Sequence, residues 1–167
     1  TERGNVAVNS KMQTSEPGVY VCGDLTGFSL LAHTAVREAE VAVHTILGRD
    51  DVMSYRAIPG VVYTNPEIAG VGHTEESLLA KGIPHHIVKL PMAYSGRFVA
   101  ENEGMNGMCK LLIGEDKTIL GAHVLGNPAS EIITLAGMAV ELKLTTTEWK
   151  KIVFPHPTVA EIFREAL

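Results

Sequence analysis

The stretch GMCKLLIGEDKTILGAHVLGNPASEIITLAGMAVEL, residues 107–142, decides the fold. Two apolar runs, Gly107–Ile113 and Thr118–Leu125, flank a tight polar turn, and this pattern predicts a β-hairpin. An Asn-Pro pair at 127–128 then opens a helix, with the Asn as its cap and the Pro at its first position. The helix predicted at Ala129–Leu142 is apolar around most of its circumference, so it must be buried on more than one side.

Strand and helix patterns continue on both sides of this stretch. Short strands are predicted at 61–64, 68–71 and 85–90. A short helix capped by Thr74 follows the second of these strands, and another short helix is predicted at 147–152. The last residues of the chain have the apolar spacing of an amphipathic helix. This part of the chain is therefore predicted to be α+β, with an antiparallel sheet flanked by helices.

The chain before residue 57 has a different pattern. Two short strands are predicted at Val6–Val8 and Val19–Cys22, and a long helix follows at Leu31–Leu47, which Gly48 ends. Two strands and one helix bury too little surface to make a domain of their own. We therefore predict three parts: the tail of a domain at 1–50, a linker at 51–56 and a complete domain at 57–167.

Composition excludes several classes of function. The net charge of −5, without a cluster of Lys and Arg, argues against nucleic acid or an anionic membrane as partner. Charged residues interrupt the longest apolar helical pattern, so no membrane-spanning segment is predicted. Cys22 and Cys109 match neither a redox pair nor a metal motif, and we expect both to pack as small apolar residues in a reducing cytoplasm. His85 and His86 alternate on a strand, so no metal site is predicted.

The stretch FPHPTVAE, residues 154–161, holds the strongest candidate for chemistry. Proline fixes its own φ and disfavours helical geometry in the preceding residue, so Pro157 is predicted as the first helical residue and His156 as the cap. A neutral imidazole is a natural general base, and a carboxylate can orient it. We predict His156 and Glu161 as a catalytic pair. On a regular helix two residues five positions apart are rotated by about 140° from each other, so the pairing requires that His156 lie outside the helix and turn its ring back. A capping histidine beside a solvated Glu161 is the alternative.

A second candidate is VYVCGD, residues 19–24, which ends a predicted strand. Asp24 there could bind a sugar or polyol hydroxyl, with the preceding glycine permitting close approach. The helix that begins near Leu31 offers free backbone N–H groups to an electron-rich acceptor. A strand-ending turn with a solvated aspartate would leave the same pattern.

Five motifs together resemble the C-terminal portion of the pyridine nucleotide-disulfide oxidoreductases. They are TSEPGVYVCGDLTG (14–27), LLAH (30–33), VVYTNPEIAGVGHTE (61–75), GNPASEII (126–133) and HPTVAEIFREAL (156–167). Within that family they are most similar to the members that oxidise dihydrolipoyl groups with NAD as acceptor. The resemblance covers the whole chain.

The resemblance implies a role for each matching residue. Asp24 would hold the ribityl and phosphate region of FAD, and the isoalloxazine would be approached, mainly by backbone, by Leu30, Leu31, Ala32 and His33. His156, oriented by Glu161, would handle the thiol protons of the substrate on the other subunit of a homodimer. The peptide before Pro157 is usually cis in this family. The implied partners are lipoyl domains of a 2-oxo acid dehydrogenase or glycine cleavage complex.

Some of the family's parts do not appear in this sequence. Its dinucleotide fingerprints and its C-x4-C redox disulfide have no counterpart here, so we expect the chain alone to be inactive. It would hold the last piece of the flavin domain and the whole dimerisation domain. The alternatives are a disulfide reductase of the glutathione reductase type and a non-catalytic dimerisation module.

Overall fold

The computed structural model describes residues 4–167 and divides the chain into two compact units. The first unit ends at Tyr55, and the second runs from Arg56 to Leu167. Across the described residues, no helix combines the length and the apolar character needed to cross a membrane.

The first unit begins with a narrow hairpin instead of the two predicted strands. An isolated bridge joins Gln13 to Tyr20, and the N–H of Thr14 donates to the carbonyl of Val19 over 3.0 Å. Tight turns on both sides of these contacts leave each arm too short for a ladder of successive pairs, so no regular strand forms among the described residues of this unit. Val6–Val8 and Val19–Cys22 were therefore wrong as strands.

Helix α1, Ala32–Ile46, is the main element of the first unit. It ends as predicted at Gly48, which has a φ of 69°. The N–H of Arg49 donates to the carbonyl of His44 over 2.9 Å, and the N–H of Gly48 donates to that of Thr45 over 3.0 Å. These two bonds form a Schellman motif, in which the left-handed residue is usually glycine.

The residues after α1 are bound to that helix. The Asp51 carboxylate accepts hydrogen bonds from the Arg37 guanidinium over 2.6 Å and lies 2.7 Å from Nδ1 of His44. Those two partners, Arg37 first, hold the pKa of Asp51 well below its usual range. Met53 is buried. The start of the segment predicted as a linker thus has fixed contacts within the first unit.

The second unit contains a five-stranded antiparallel sheet with the order β1-β2-β5-β4-β3. The strands are β1 Gly60–Val62, β2 Ile68–Gly72, β3 His85–Pro91, β4 Met108–Gly114 and β5 Ile119–Leu125. In the β4–β5 hairpin, Cys109 pairs with Val124 and Leu111 with Ala122, and all four are buried on the same face. The antiparallel sheet flanked by helices confirms the predicted fold class.

Five helices complete the second unit. They are α2 Glu75–Ala80, α3 Gly96–Glu101, α4 Ala129–Glu141, α5 Thr146–Trp149 and α6 Glu161–Glu165. Helix α4 packs against β2 and β5 and covers the buried face of the sheet. Thr74 caps α2 as predicted, and it shares a capping box with Ser77. The pattern did not predict α3.

The N-terminus of α4 differs from the prediction. Pro128, not Asn127, is the cap residue, with a φ of −97° and a ψ of 85°. The Asn127 side chain instead accepts from the N–H of Glu67 over 2.9 Å. The Glu67 carboxylate accepts from the N–H of Ser130 over 2.8 Å and so satisfies a helix N–H from outside the helix.

The two cysteines have different environments. Cys109 is fully buried in the core, and burial raises the pKa of its thiol to about 12. Cys22 is exposed, so the expectation that it packs as a small apolar residue was wrong. It lies at the end of the hairpin, just before the 3₁₀ turn that begins at Gly23.

Candidate functional site

The segment before α6 is a loop that holds the predicted base. Helix α6 begins at Glu161, with Ala160 as its cap, so Pro157 is not the first helical residue and His156 is not the cap. The N–H of Thr158 donates to Oε2 of Glu161 over 2.7 Å, and this bond closes a turn ahead of the helix. The sequence analysis placed His156 at the start of the helix, whereas it is Thr158 that begins this turn. The His156–Pro157 peptide is cis.

The structure brings His156 and Glu161 together. Nδ1 of His156 lies 2.9 Å from Oε1 and 3.2 Å from Oε2 of Glu161. The hydrogen bond from Thr158, followed by the one from His156, holds the pKa of Glu161 below its usual range. A carboxylate only accepts hydrogen bonds, so the neutral imidazole keeps its proton on Nδ1 and its lone pair on Nε2.

The two members of this pair differ in exposure. The His156 side chain is 82% exposed, whereas that of Glu161 is 20% exposed. Glu161 is held from the protein side, and the His156 ring is open to the outside of the unit. This geometry suits a general base that acts on an external group. The catalytic role of the two residues stays a prediction.

Helix α6 anchors the pair to the core of the second unit. The apolar positions predicted for the last helix are buried, Ile162 and Phe163 within α6 and Val159 and Ala166 on either side of it. Phe163 stacks on Trp149 with ring centroids 5.4 Å apart. The Oγ1 of Thr158 donates to the carbonyl of Pro155 over 2.8 Å and fixes the other side of the loop. Thr158 was missed by the sequence analysis, although a Thr three residues before a Glu is a recognisable capping pattern.

An apolar groove of about 400 Å³ lies beside the loop. Helix α4 and its C-terminal cap residue line one wall with Leu135, Met138 and Leu142, and the segment before the loop lines the other with Ile152 and Val153. Val153 is 90% exposed. Because Leu135 and Met138 line this groove, helix α4 presents apolar side chains on the side away from the sheet as well, as its composition predicted.

In the first unit, Asp24 lies in a single turn of 3₁₀ helix, Gly23–Thr26, and its side chain is exposed. A fully buried carboxylate, Glu38 of α1, fixes this turn by accepting from the N–H of Gly23 over 2.5 Å. Its other oxygen accepts from the hydroxyl of Tyr55 over 2.5 Å. Burial, and then this bond, raise the pKa of Tyr55. Glu38 was missed because only its distant partners show that it is buried.

The other residues predicted to approach a flavin lie at the start of α1. Leu31 is the helix cap, in extended geometry, and no side chain caps the helix there. Leu30 is 71% exposed, and Ala32 and His33 are exposed as well. The N–H groups of Thr34 and Ala35 donate to the carbonyl of Leu31 over 3.1 and 3.0 Å, so the N–H that this helix start would offer to an electron-rich acceptor is that of Ala32. Within residues 4–167, no group of three or more His, Cys, Asp or Glu side chains is placed to hold a metal ion.

Comparison with known proteins confirms the resemblance. The profile of the pyridine nucleotide-disulphide oxidoreductase dimerisation domain matches residues 58–167. The mitochondrial dihydrolipoyl dehydrogenase of Canis lupus familiaris is 37% identical over 166 residues, which cover 98% of this chain and 32% of that protein.

Solved structures share the fold. LpdA from Mycobacterium tuberculosis aligns with a TM-score of 0.89 and 26% identity, over 97% of this chain and 36% of the other. The HOCl-induced flavoprotein disulfide reductase RclA from Escherichia coli aligns with a TM-score of 0.85 and 24% identity, over 99% of this chain and 39% of the other, and it shows the fold alone. The chain spans less than two fifths of each of these proteins. It belongs to the pyridine nucleotide-disulphide oxidoreductase family.

Proposed function

We propose that this chain supplies the acid/base pair and the dimer interface of an FAD-dependent enzyme that oxidises dihydrolipoyl groups with NAD as acceptor. The observation that carries the proposal is the pair itself: Nδ1 of His156 lies 2.9 Å from the Glu161 carboxylate, and the ring is exposed on its other side. The relative at 37% identity, a dihydrolipoyl dehydrogenase, supports this substrate class.

The pair's task is to move thiol protons. A thiolate is the reactive form of a thiol in exchange with a disulfide, so a base that removes the proton speeds the attack. Nε2 of His156 accepts that proton, and Glu161 stabilises the imidazolium that results. In the reverse direction the imidazolium returns the proton. FAD, when bound, supplies the acceptor for the electron pair that passes on to NAD.

The first unit has features that fit a flavin. Asp24 is an exposed carboxylate on a turn that Glu38 fixes, and it would bind hydroxyl groups of the ribityl chain. The start of α1, which no side chain caps, would offer the N–H of Ala32 to an oxygen or nitrogen of the ring system. Leu30 and Leu31 lie before that helix and would line the approach.

The proposed assembly is a homodimer in which each pair serves the other subunit. The apolar groove beside the loop supports this assembly, because obligate interfaces are commonly large and apolar. The proposed partners are lipoyl domains of a 2-oxo acid dehydrogenase or glycine cleavage complex. A reducing cytoplasm is the proposed setting, and it is compatible with both cysteines being free thiols.

The test is His156→Ala in the full-length flavoprotein that carries this sequence. Removing a positioned base should slow reduction by dihydrolipoamide, measured by rapid mixing, by about 10²–10⁴-fold. The rate of reoxidation by NAD, the flavin content and the dimer should be nearly unchanged, because the side chain is exposed and outside the core. A variant reduced at the parent rate would refute the catalytic role of His156.

Two further measurements separate the alternatives. A coding sequence that lacks an upstream C-x4-C segment would indicate a non-catalytic dimerisation module. Turnover of glutathione disulfide in place of dihydrolipoamide would indicate a disulfide reductase of the glutathione type. Both outcomes would reject the proposed substrate.

A further inference from the structure

Ser95 forms a hydrogen-bonded link between helix α3 and the loop that holds His156. It is 2% exposed and is the cap residue of α3, where its Oγ accepts from the N–H of Phe98 over 3.2 Å. The same hydroxyl donates to the carbonyl of Thr158 over 3.1 Å. We propose that Ser95 is a positioning residue for the His156–Glu161 pair, an inference that rests on the function proposed above.

Thr158 transmits the constraint. Ser95 holds its carbonyl, and its own N–H donates to Oε2 of Glu161 over 2.7 Å. The two peptide groups that flank the Cα of Thr158 are thus both bound, one by Ser95 and the other by Glu161. Glu161 is thereby held, and its Oε1 contacts Nδ1 of His156 over 2.9 Å. Four residues thus form one hydrogen-bonded series from a buried helix cap to an exposed imidazole.

The exposure of the imidazole makes this series important. At 82% exposed, His156 has little packing to hold its ring, so its orientation depends on Glu161. The Ser95 hydroxyl donates one hydrogen bond and accepts another at the same time. Because it is buried, water cannot easily take over these two bonds if the hydroxyl is removed. Without Oγ, the N–H of Phe98 and the carbonyl of Thr158 both lose a partner.

The first experiment is Ser95→Ala in the full-length flavoprotein. Since one neutral hydrogen bond is worth a few-fold in an equilibrium, we expect reduction by dihydrolipoamide to slow by about 3–10-fold. The loss should appear in the maximal rate and not in the substrate concentration at half-saturation, because Ser95 touches no substrate. A maximal rate equal to the parent's would overturn the proposal.

A matched control separates positioning from helix capping. Thr74→Ala removes the cap hydroxyl of α2, which accepts from Ser77 and has no bond to the loop. It should lower the melting temperature without slowing the reduction. Ser95→Gly removes the hydroxyl while leaving a residue that caps helices tolerably, so it should be as slow as Ser95→Ala with a smaller loss of melting temperature. Ser95→Thr, which keeps the hydroxyl, should recover most of the rate. An equal rate loss in Thr74→Ala would overturn the proposal.

A double-mutant cycle tests the route through Glu161. If Ser95 acts through that carboxylate, Ser95→Ala should not slow the reduction further once Glu161→Ala is present, because residues in one hydrogen-bond network act as a coupled unit. If the rate losses of the two single variants multiply in the double variant, Ser95 acts by another route. Failure of the proposed function has a different signature, since His156→Ala would then retain the parent rate. A slow His156→Ala beside a normal Ser95→Ala rejects only the positioning role.

Discussion

Phe163→Ala should show how strongly α6 anchors the loop that holds His156. Phe163 is fully buried and stacks on Trp149 with the ring planes inclined by 28°. Truncating a buried Phe to Ala costs about 3–5 kcal/mol, because transfer free energy is lost and a cavity remains. The lost aromatic pair accounts for about 0.5–1.5 kcal/mol of that cost.

Urea unfolding followed by circular dichroism measures this loss. With an m-value of about 2 kcal/mol/M in urea, the midpoint should fall by about 1.5–2.5 M. A domain's total stability is about 5–15 kcal/mol, so the variant would be folded but marginal. The loop should also become easier to cleave with a protease, because its anchoring helix is loosened.

The matched control is Leu79→Ala in α2. Leu79 is 67% exposed, so its truncation should change the free energy of unfolding by no more than about 0.5 kcal/mol. If Phe163→Ala cost no more than Leu79→Ala, the packing of α6 against the core as described here would be refuted.

The remaining predictions concern titratable groups. Cys22 is exposed, whereas burial raises the pKa of Cys109 to about 12. A thiol reagent at mildly alkaline pH should therefore label Cys22 quickly and Cys109 only after unfolding. Rapid labelling of both cysteines in the native protein would contradict this prediction. Since the folded-state pKa of Glu161 lies below its ordinary value of 4.5, its ionised form stabilises the fold above that value, and the contribution disappears as the pH falls through the folded pKa. The stability difference between the parent and Glu161→Gln, measured by urea titration at several pH values, should therefore shrink on acidification, and a constant difference would argue against it.

Local sequence patterns predicted most of the fold. The β4–β5 hairpin, α4 and the capped start of α2 were predicted because apolar period, turn residues and caps act over a few neighbouring positions. The apolar positions in and next to α6 were predicted for the same reason, and all of them are buried. The pairing of His156 with Glu161 could be proposed because only five positions separate them.

Contacts between distant segments were not predictable. Glu67 caps α4 across 63 positions, Ser95 reaches Thr158 across the same separation, and Glu38 is buried by partners 12 to 17 positions away. Neither spacing nor composition encodes such pairs. The start of α6 was misplaced because Pro157 is a favourable first helical residue, while the turn that Thr158 and Glu161 close is a competing arrangement.

The contact between Glu161 and Nδ1 of His156 also limits how many protons the site can hold. With one ring nitrogen occupied, the imidazole would take up a single substrate proton at a time under the proposed function. Oxidation of a dithiol to a disulfide releases two electrons and two protons, and NAD carries away both electrons with one of those protons. One proton is left over per dithiol, which equals the capacity of the ring. In the single chain the His156 side chain is largely exposed, so within this unit no relay of further side chains lies between the ring and water.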